Sequence, residues 1–165
     1  AQEGREFGCL QVTEKDRSAG QHRKEGLEAG LAEKRRYLKP ENIEEVGFSV
    51  EAGYEGMKAL YRRNPEIDSV FCATDNIAVG AAAYLKDIGK QIPGEVQLAG
   101  VGDSLTGRVI SPRLTTVHYF YKTSGTEAAQ MLWEMMEEEK PVRREIKMGY
   151  EILIRESVRK RDSSE

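Results

Sequence analysis

Short apolar runs alternate along the chain with longer segments whose apolar residues recur at helical spacing. The run SVFCA at 69–73 is rich in β-branched and aromatic residues, which predicts a buried strand. After a polar junction at 74–76, the segment IAVGAAAYL predicts a helix that ends near Ile88. Ligands of open parallel α/β sheets bind where strands end and helices begin, so we expect Asp75 to lie beside a ligand.

The same alternation extends to both sides of this junction. Ser49 is a good N-cap for a helix over 50–63, and the spacing of Ser124 and Glu127 is typical of a capping box before a later helix. Further strands are predicted at 7–12, 42–49, 96–101, 114–117 and 146–154, and further helices at about 21–37 and 124–138. This order predicts the α/β class, as a three-layer, doubly wound and mostly parallel sheet with helices on both faces.

Composition narrows the class of protein. The chain has 165 residues, of which 32% are charged, and its mean hydropathy is −0.60, which predicts a soluble domain with a sizeable core. The formal net charge of −3 argues against a nucleic-acid-binding domain within this stretch, because such domains are usually basic. No apolar window is long enough to span a membrane, and the first residues lack the layout of a signal peptide.

Two observations concern the setting of the chain. Cys9 and Cys72 both lie in apolar, strand-like runs, which favours buried free thiols over a disulfide and predicts a cytoplasmic protein. Residue 1 stands a few residues before a strand, with no capping element in front of it. We therefore expect the chain to be a fragment of a longer protein.

Several kinds of catalytic and cofactor site are absent from the sequence. His22 and His118 are far apart, so no metal-ligand spacing occurs. Gly100-Val101-Gly102 resembles the first half of a dinucleotide fingerprint, but Leu105 stands where its third glycine would be. Neither a P-loop nor a G-x-S-x-G elbow is present. The sequence therefore predicts no enzyme, no cofactor and no metal.

Polar and aromatic side chains are instead predicted at the ends of successive strands, at Arg23, Phe48, Asp75, Asp103 and Tyr119. Carboxylates accept hydrogen bonds from vicinal hydroxyls, arginine donates a fixed fork, and aromatic rings cover the apolar face of a sugar. This combination suits a polyol ligand better than a phosphate. Two members have simpler explanations, since Asp75 could be a charge at a helix N-terminus and Phe48 a core residue.

Six segments, in order, resemble the effector-binding core of the lactose-repressor/galactose-repressor (LacI/GalR) family of transcriptional regulators. They are GQHRKEGLEAG, FSVEAGYEGM, FCATDNIAVGA, IPGEVQLAGVGDS, SPRLTTV and LIRES, and the likeness covers about residues 5–158. The GVGDS and HYFYKTSG segments look most like the branch that represses sucrose operons. The resemblance implies a core of the type I periplasmic-binding-protein kind, with a small-molecule effector between two lobes.

The resemblance also implies a division of the chain. Residues 1–158 would form an effector-binding fragment, in which 5–117 are the second lobe and 118–158 are the hinge, a crossover helix at Ser124–Glu138 and the last strand. The tail at 159–165 is expected to be disordered. Most of the first lobe and the DNA-binding headpiece would be absent from this chain.

Individual site residues follow from the same likeness. Arg23 falls on the effector-binding arginine of the family, and Phe48 on the aromatic residue that stacks against the ligand. Thr74 stands where asparagine is usual, and Asp75 matches the aspartate beside it. Tyr119 falls on a hinge position that often reaches the ligand.

One departure from the family pattern concerns the strand that ends at Val101. The family commonly has two aspartates where this chain has Gly102 and Asp103, so the first aspartate, a frequent ligand contact, is missing. This difference implies a different hydroxyl pattern or a bulkier sugar in the effector site, which would include Gly102 and Asp103.

The resemblance finally implies partners. Family members dimerise through the second lobe, and the matching positions here are Ala78, Val79, Ala82, Ala83, Thr106, Val109 and Ile110. A sugar such as sucrose would be the effector, and operator DNA would be bound only through the missing headpiece. We therefore expect the sensing and dimerisation part of a cytoplasmic repressor of carbohydrate uptake or metabolism. The alternative is an exported sugar-binding protein of an ABC transporter, which has the same fold.

Overall fold

A computed structural model describes residues 6–137 and 142–159, which contain one six-stranded sheet in the order β2-β1-β3-β4-β5-β6. Its strands are β1 Phe7–Gln11, β2 Ile43–Glu45, β3 Ser69–Cys72, β4 Gln97–Val101, β5 Thr115–Tyr119 and β6 Tyr150–Leu153. The helices are α1 His22–Glu33, α2 Val50–Arg63, α3 Asp75–Asp87, α4 Leu105–Val109 and α5 Tyr121–Glu137. Strands β1 to β5 are parallel and β6 runs antiparallel to β5, which confirms the predicted mostly parallel sheet.

Side chains that alternate along β1 show that helices cover both faces. Leu10 belongs to the larger core, with Met57 and Leu60 of α2, whereas its neighbour Cys9 packs with Leu31 of α1. The two faces of the sheet therefore carry different helices, as a doubly wound fold requires.

Helices α2 and α3 approach each other at glycine positions. A Cβ atom placed on Gly80 would overlap the carbonyl oxygen of Val50 and the backbone nitrogen of Tyr54. A Cβ atom on Gly53 would overlap the carbonyl oxygen of Ile77 in the same way. The absence of side chains at these two positions thus sets the distance between the helices.

The ends of two elements test the predicted caps. The Ser49 hydroxyl accepts a hydrogen bond from the Ala52 N–H at 3.1 Å, which confirms the N-cap of α2. The capping box at Ser124 is wrong, because α5 begins at Tyr121 and the Ser124 N–H already donates to the Phe120 carbonyl oxygen at 2.9 Å. The last strand is also shorter than predicted, since the described residues 142–149 have no regular structure before β6.

The segment that follows β6 joins strands β4 and β5. Ser157 is 2% exposed, and its hydroxyl donates to the Leu98 carbonyl oxygen at 2.7 Å and accepts from the Thr115 N–H at 2.8 Å. The Arg159 N–H donates to the Gln97 side chain at 2.9 Å, so the closing segment is held at least to this residue. The rest of the predicted tail, 160–165, and residues 1–5 lie outside the described part of the chain.

Candidate functional site

The turn before α1 places Arg23 at the carboxyl edge of the sheet. Arg17–Gln21 form a π-helical turn that runs directly into α1, and the Asp16 carboxylate caps this turn by accepting from the backbone N–H groups of Ser18 and Ala19 at 3.0 and 2.8 Å. From α1, Arg23 Nη1 donates to the carbonyl oxygen of Ala73, directly after β3. Its guanidinium carbon also lies 5.9 Å from the centroid of the Tyr119 ring.

A cleft of about 550 Å³ opens beside this arginine, and we refer to it as the Arg23 cleft. Its floor is apolar and comes from Phe71, Val101 and Val117 of three neighbouring strands. The remaining lining residues are Ser18, His22, Arg23, Gly26, Leu27, Tyr119 and Tyr150. The cleft thus combines an apolar floor, two tyrosines and a cation at the carboxyl edge of the parallel strands, where such sheets bind ligands.

Asp75 lies within this edge but is enclosed by protein. It is 2% exposed, Oδ1 accepts from the Thr116 hydroxyl at 2.6 Å, and Oδ2 accepts from the Ser104 N–H at 2.6 Å. Gly100 provides the space, because a Cβ atom there would lie 2.5 Å from Oδ1. In this structure Asp75 joins α3 to β5 and to the turn before α4, and it presents no free oxygen to the Arg23 cleft.

Asp103 is the centre of a second enclosed cluster. It is 7% exposed, and its carboxylate accepts from Arg108 Nε at 3.0 Å and from Arg155. The Nδ1 atom of His118 lies 3.0 Å from Oδ2. Burial by itself would raise the pKa of Asp103, but the hydrogen bonds from Arg108 and Arg155 outweigh burial and hold this pKa below its usual value.

The backbone at this cluster is unusual. Asp103 has a φ angle of 53° and Gly102 a φ angle of 133°, and both values lie in the region that L side chains rarely adopt. A Cβ atom on the exposed Gly102 would come no nearer than 4.0 Å to Asp75 Oδ2. At Gly102, where the family commonly has an aspartate, the structure thus has open space and a backbone conformation that favours glycine.

The other predicted effector residues occupy the same edge with different exposure. Thr74 is half-buried and caps α3, because its hydroxyl accepts from the Ile77 N–H at 3.4 Å. Phe48 is 50% exposed before α2, and it does not line the Arg23 cleft. The structure thus brings Arg23 and Tyr119 together in one cleft, and it places Thr74 and Phe48 outside the lining of that cleft.

Three nitrogen-bearing side chains of the Asp103 cluster were missed by sequence reasoning. Arg108, His118 and Arg155 reach one carboxylate from positions 5, 15 and 52 residues away. No spacing rule connects them, and LIRES, which contains Arg155, was significant only through the family likeness. His118 is the first residue of HYFYKTSG, which was singled out through the same likeness, so the sequence held a pointer to Arg155 and to His118 and none to Arg108.

The predicted dimer residues form a partly exposed face. Val79, Ala82 and Ala83 of α3 line a groove of about 450 Å³ together with Ile110. Thr106 and Val109 are exposed on α4. The prediction that Ala78 lies at the interface is wrong. Ala78 is 0% exposed and belongs to the core, so it cannot itself contact a partner subunit.

The cysteines and possible metal ligands add no further chemistry. Cys9 and Cys72 are both free and buried, and burial raises the pKa of the Cys9 thiol to about 12. Among residues 6–137 and 142–159, no group of three or more His, Cys, Asp or Glu side chains could hold a metal ion. No helix in the described part of the chain combines the length and apolarity of a membrane span.

Known proteins resemble this chain over most of its length. The HTH-type transcriptional repressor PurR of Pasteurella multocida is 32% identical over 134 residues, which are 81% of this chain and 39% of that protein. The HTH-type transcriptional regulator GalR of Escherichia coli K12 is 40% identical over 79 residues, which are 48% of this chain and 23% of that protein. The chain thus spans about two fifths of the length of the PurR relatives that it matches.

Solved structures share the fold. A complex of the transcriptional regulator CelR with cellobiose superposes with a TM-score of 0.85 at 26% identity, over 93% of this chain and 47% of that one. The transcription regulator GntR from Chromobacterium violaceum superposes with a TM-score of 0.84 at 25% identity, over 93% of this chain and 56% of that one. Residues 2–158 match the family described as periplasmic binding protein-like domain. The chain therefore belongs to the periplasmic binding protein-like domain family, in the form that LacI/GalR-type regulators contain.

Proposed function

We propose that this chain is the effector-sensing and dimerising part of a DNA-binding transcriptional repressor that responds to a sugar such as sucrose. The observation that carries the proposal is the Arg23 cleft, where a guanidinium and two tyrosines meet at the carboxyl edge of the sheet. The relatives reported above are transcriptional regulators, and one related structure holds cellobiose. These relatives favour a cytoplasmic regulator over an exported sugar-binding protein.

The site residues then have different roles. Arg23 and Tyr119 contact the effector, while Thr74 and Phe48 lie further along the same edge and complete the wall when the two lobes close. Asp75 and Asp103 act as positioning residues, because their oxygens already accept hydrogen bonds from protein groups. Gly102 leaves space for the ligand.

The helix α5 fits the proposed crossover to a first lobe. None of its residues is buried, and Leu132 and Trp133 are both exposed. In the proposal, residues 5–117 are the second lobe, and 118–158 connect it to a first lobe beyond this chain. A headpiece elsewhere in the full-length protein would bind operator DNA.

Arg23→Ala is expected to weaken saccharide binding by about tenfold or more, because a hydrogen bond to a charged group contributes about 1.5–3 kcal/mol. Calorimetric titration of the full-length protein with sucrose and other saccharides measures this change. Lys24→Ala is the matched control, since Lys24 is the adjacent cation and pairs with Glu14 instead of facing the cleft. The absence of any saccharide response in the unsubstituted protein would contradict the proposed function.

The groove lined by Val79, Ala82 and Ala83 is proposed as the dimer interface. Ala83→Arg introduces a long cationic side chain into this groove, whose lining already includes Lys86 and Lys90, so we expect it to raise the dimer dissociation constant by about tenfold or more. Ala29→Arg makes the same change at an exposed position of α1 and should leave the constant unchanged. Sedimentation velocity over a concentration series provides the measurement, and equal behaviour of the two variants would rule this interface out.

A further inference from the structure

Arg23 has no carboxylate partner in the described part of the chain. Its guanidinium donates to the carbonyl oxygen of Ala73 and lies over the Tyr119 ring, and no acidic side chain there forms an ion pair with it. The next residue, Lys24, does pair with Glu14 at 2.7 Å. Of these two neighbouring cations, Arg23 is therefore the one that faces the cleft and the one that has no carboxylate partner.

The lining of the Arg23 cleft offers donors and a positive charge. Its polar groups are the Ser18 hydroxyl, the His22 imidazole, the Arg23 guanidinium and the hydroxyls of Tyr119 and Tyr150, and no Asp or Glu is among its lining residues. The sequence pattern favoured a polyol over a phosphate, and two carboxylates at this edge were part of that pattern. The structure changes that balance, since those carboxylates accept hydrogen bonds from the protein itself.

A ligand that fills this cleft would remove water from Arg23. A buried charge without a counter-charge is unfavourable, and a neutral sugar has no charge to compensate it. A phosphate or carboxylate group would accept two hydrogen bonds from the planar guanidinium and neutralise it. The apolar floor and the tyrosine rings would remain available to the uncharged part of the ligand.

We propose that the effector is an anionic sugar whose phosphate or carboxylate group binds Arg23. The inference rests on the proposed function, because it assigns the ligand class of the same cleft. Phosphate esters and sugar acids share the required chemistry, which is an oxyanion attached to a sugar ring or chain.

Matched pairs of ligands test this inference on the full-length protein by isothermal titration calorimetry. The pairs are sucrose with sucrose 6-phosphate, and glucose with glucose 6-phosphate and with gluconate. We expect one anionic member to bind about tenfold or more tightly than its neutral parent, with an advantage that shrinks as salt is added. A preference for the phosphates or for gluconate identifies which oxyanion is bound, and either supports the inference.

Variants locate the effect at Arg23. Arg23→Gln should reduce the affinity of the anion to that of the neutral parent, Arg23→Lys should restore part of the difference, and Lys24→Gln should leave it intact. Partial rescue by lysine separates loss of charge from loss of folding, which thermal unfolding monitors in parallel. A neutral sugar that binds as tightly as its anionic counterpart would overturn this inference and leave the proposed function standing, whereas binding of none of these ligands would overturn both.

Discussion

Replacing Asp103 with asparagine is expected to lower the free energy of unfolding by about 3 kcal/mol, because removal of one partner from a buried ion pair leaves the other charge uncompensated. Arg108 and Arg155 both donate to this carboxylate, and the Arg155 side chain is itself largely buried. Asparagine is the appropriate replacement because it tolerates the left-handed backbone of Asp103, where φ is 53°. The variant thus tests charge and not backbone strain.

The effect of this substitution should depend on pH. Since the pKa of Asp103 is lowered in the folded protein, its charge stabilises the fold above the usual carboxyl pKa of about 4 and ceases to do so as the pH falls through the folded value. Urea unfolding at about pH 7 and about pH 3 should therefore show a large difference from the unsubstituted protein and then a smaller one. A difference that is the same at both pH values would contradict the charge argument.

Glu156→Gln is the matched control for Asp103→Asn. It makes the same carboxylate-to-amide change beside Arg113, which lowers the pKa of Glu156 to about 2. Both side chains of this pair are exposed, so solvent and salt screen their interaction. We expect the urea midpoint of this variant to stay close to that of the unsubstituted protein.

Gly80→Ala is expected to lower the free energy of unfolding by about 2 kcal/mol, because overpacking at the upper end of its usual range costs about 3 kcal/mol. The added methyl group would overlap the Val50 carbonyl oxygen and the Tyr54 nitrogen, which are backbone atoms of α2 and cannot rotate away. The higher helix propensity of alanine returns only about 1 kcal/mol of this loss. Thermal and urea unfolding both measure the change.

Gly30→Ala provides the opposite case in the same fold. Gly30 lies on the exposed side of α1, and a Cβ atom there meets no other atom within 4 Å. We expect this variant to be more stable by up to about 1 kcal/mol, since only helix propensity changes. If Gly30→Ala and Gly80→Ala shifted the midpoint in the same direction, the close approach of α2 and α3 would not be what requires glycine.

The order of strands and helices could be predicted from sequence because it depends on local patterns, namely the spacing of apolar residues and the residues that cap helices. The apolar run before Asp75 became β3, and Ser49 capped α2 as expected. The start of α5 could not be predicted in this way, because a Ser-x-x-Glu spacing also occurs inside a helix. Ser124 lies within the first turn of α5, where its backbone is already bonded to Phe120.

The candidate site was predictable only in part. Arg23 and Tyr119 do share a cleft, and the strand ends do converge. The enclosure of the two aspartates was not predictable, because their partners are remote in sequence. Thr116 is 41 residues from Asp75, and Arg155 is 52 residues from Asp103. From sequence alone, a carboxylate at a strand end is therefore interpreted as a ligand contact, and only the tertiary contacts show that the protein itself binds it.

The position of Ser157 has a consequence for synthesis of the chain on the ribosome. Its hydroxyl bridges Leu98 and Thr115, the latter 42 residues earlier, so β4 and β5 are both translated well before the residue that joins their ends. Chains fold from the N-terminus as they emerge, and contacts between distant residues form late. The nascent lobe therefore lacks the bonds that link Leu98 to Thr115 until Ser157 has been translated, so we expect β4 and β5 to be joined at this point only late in the folding of the lobe.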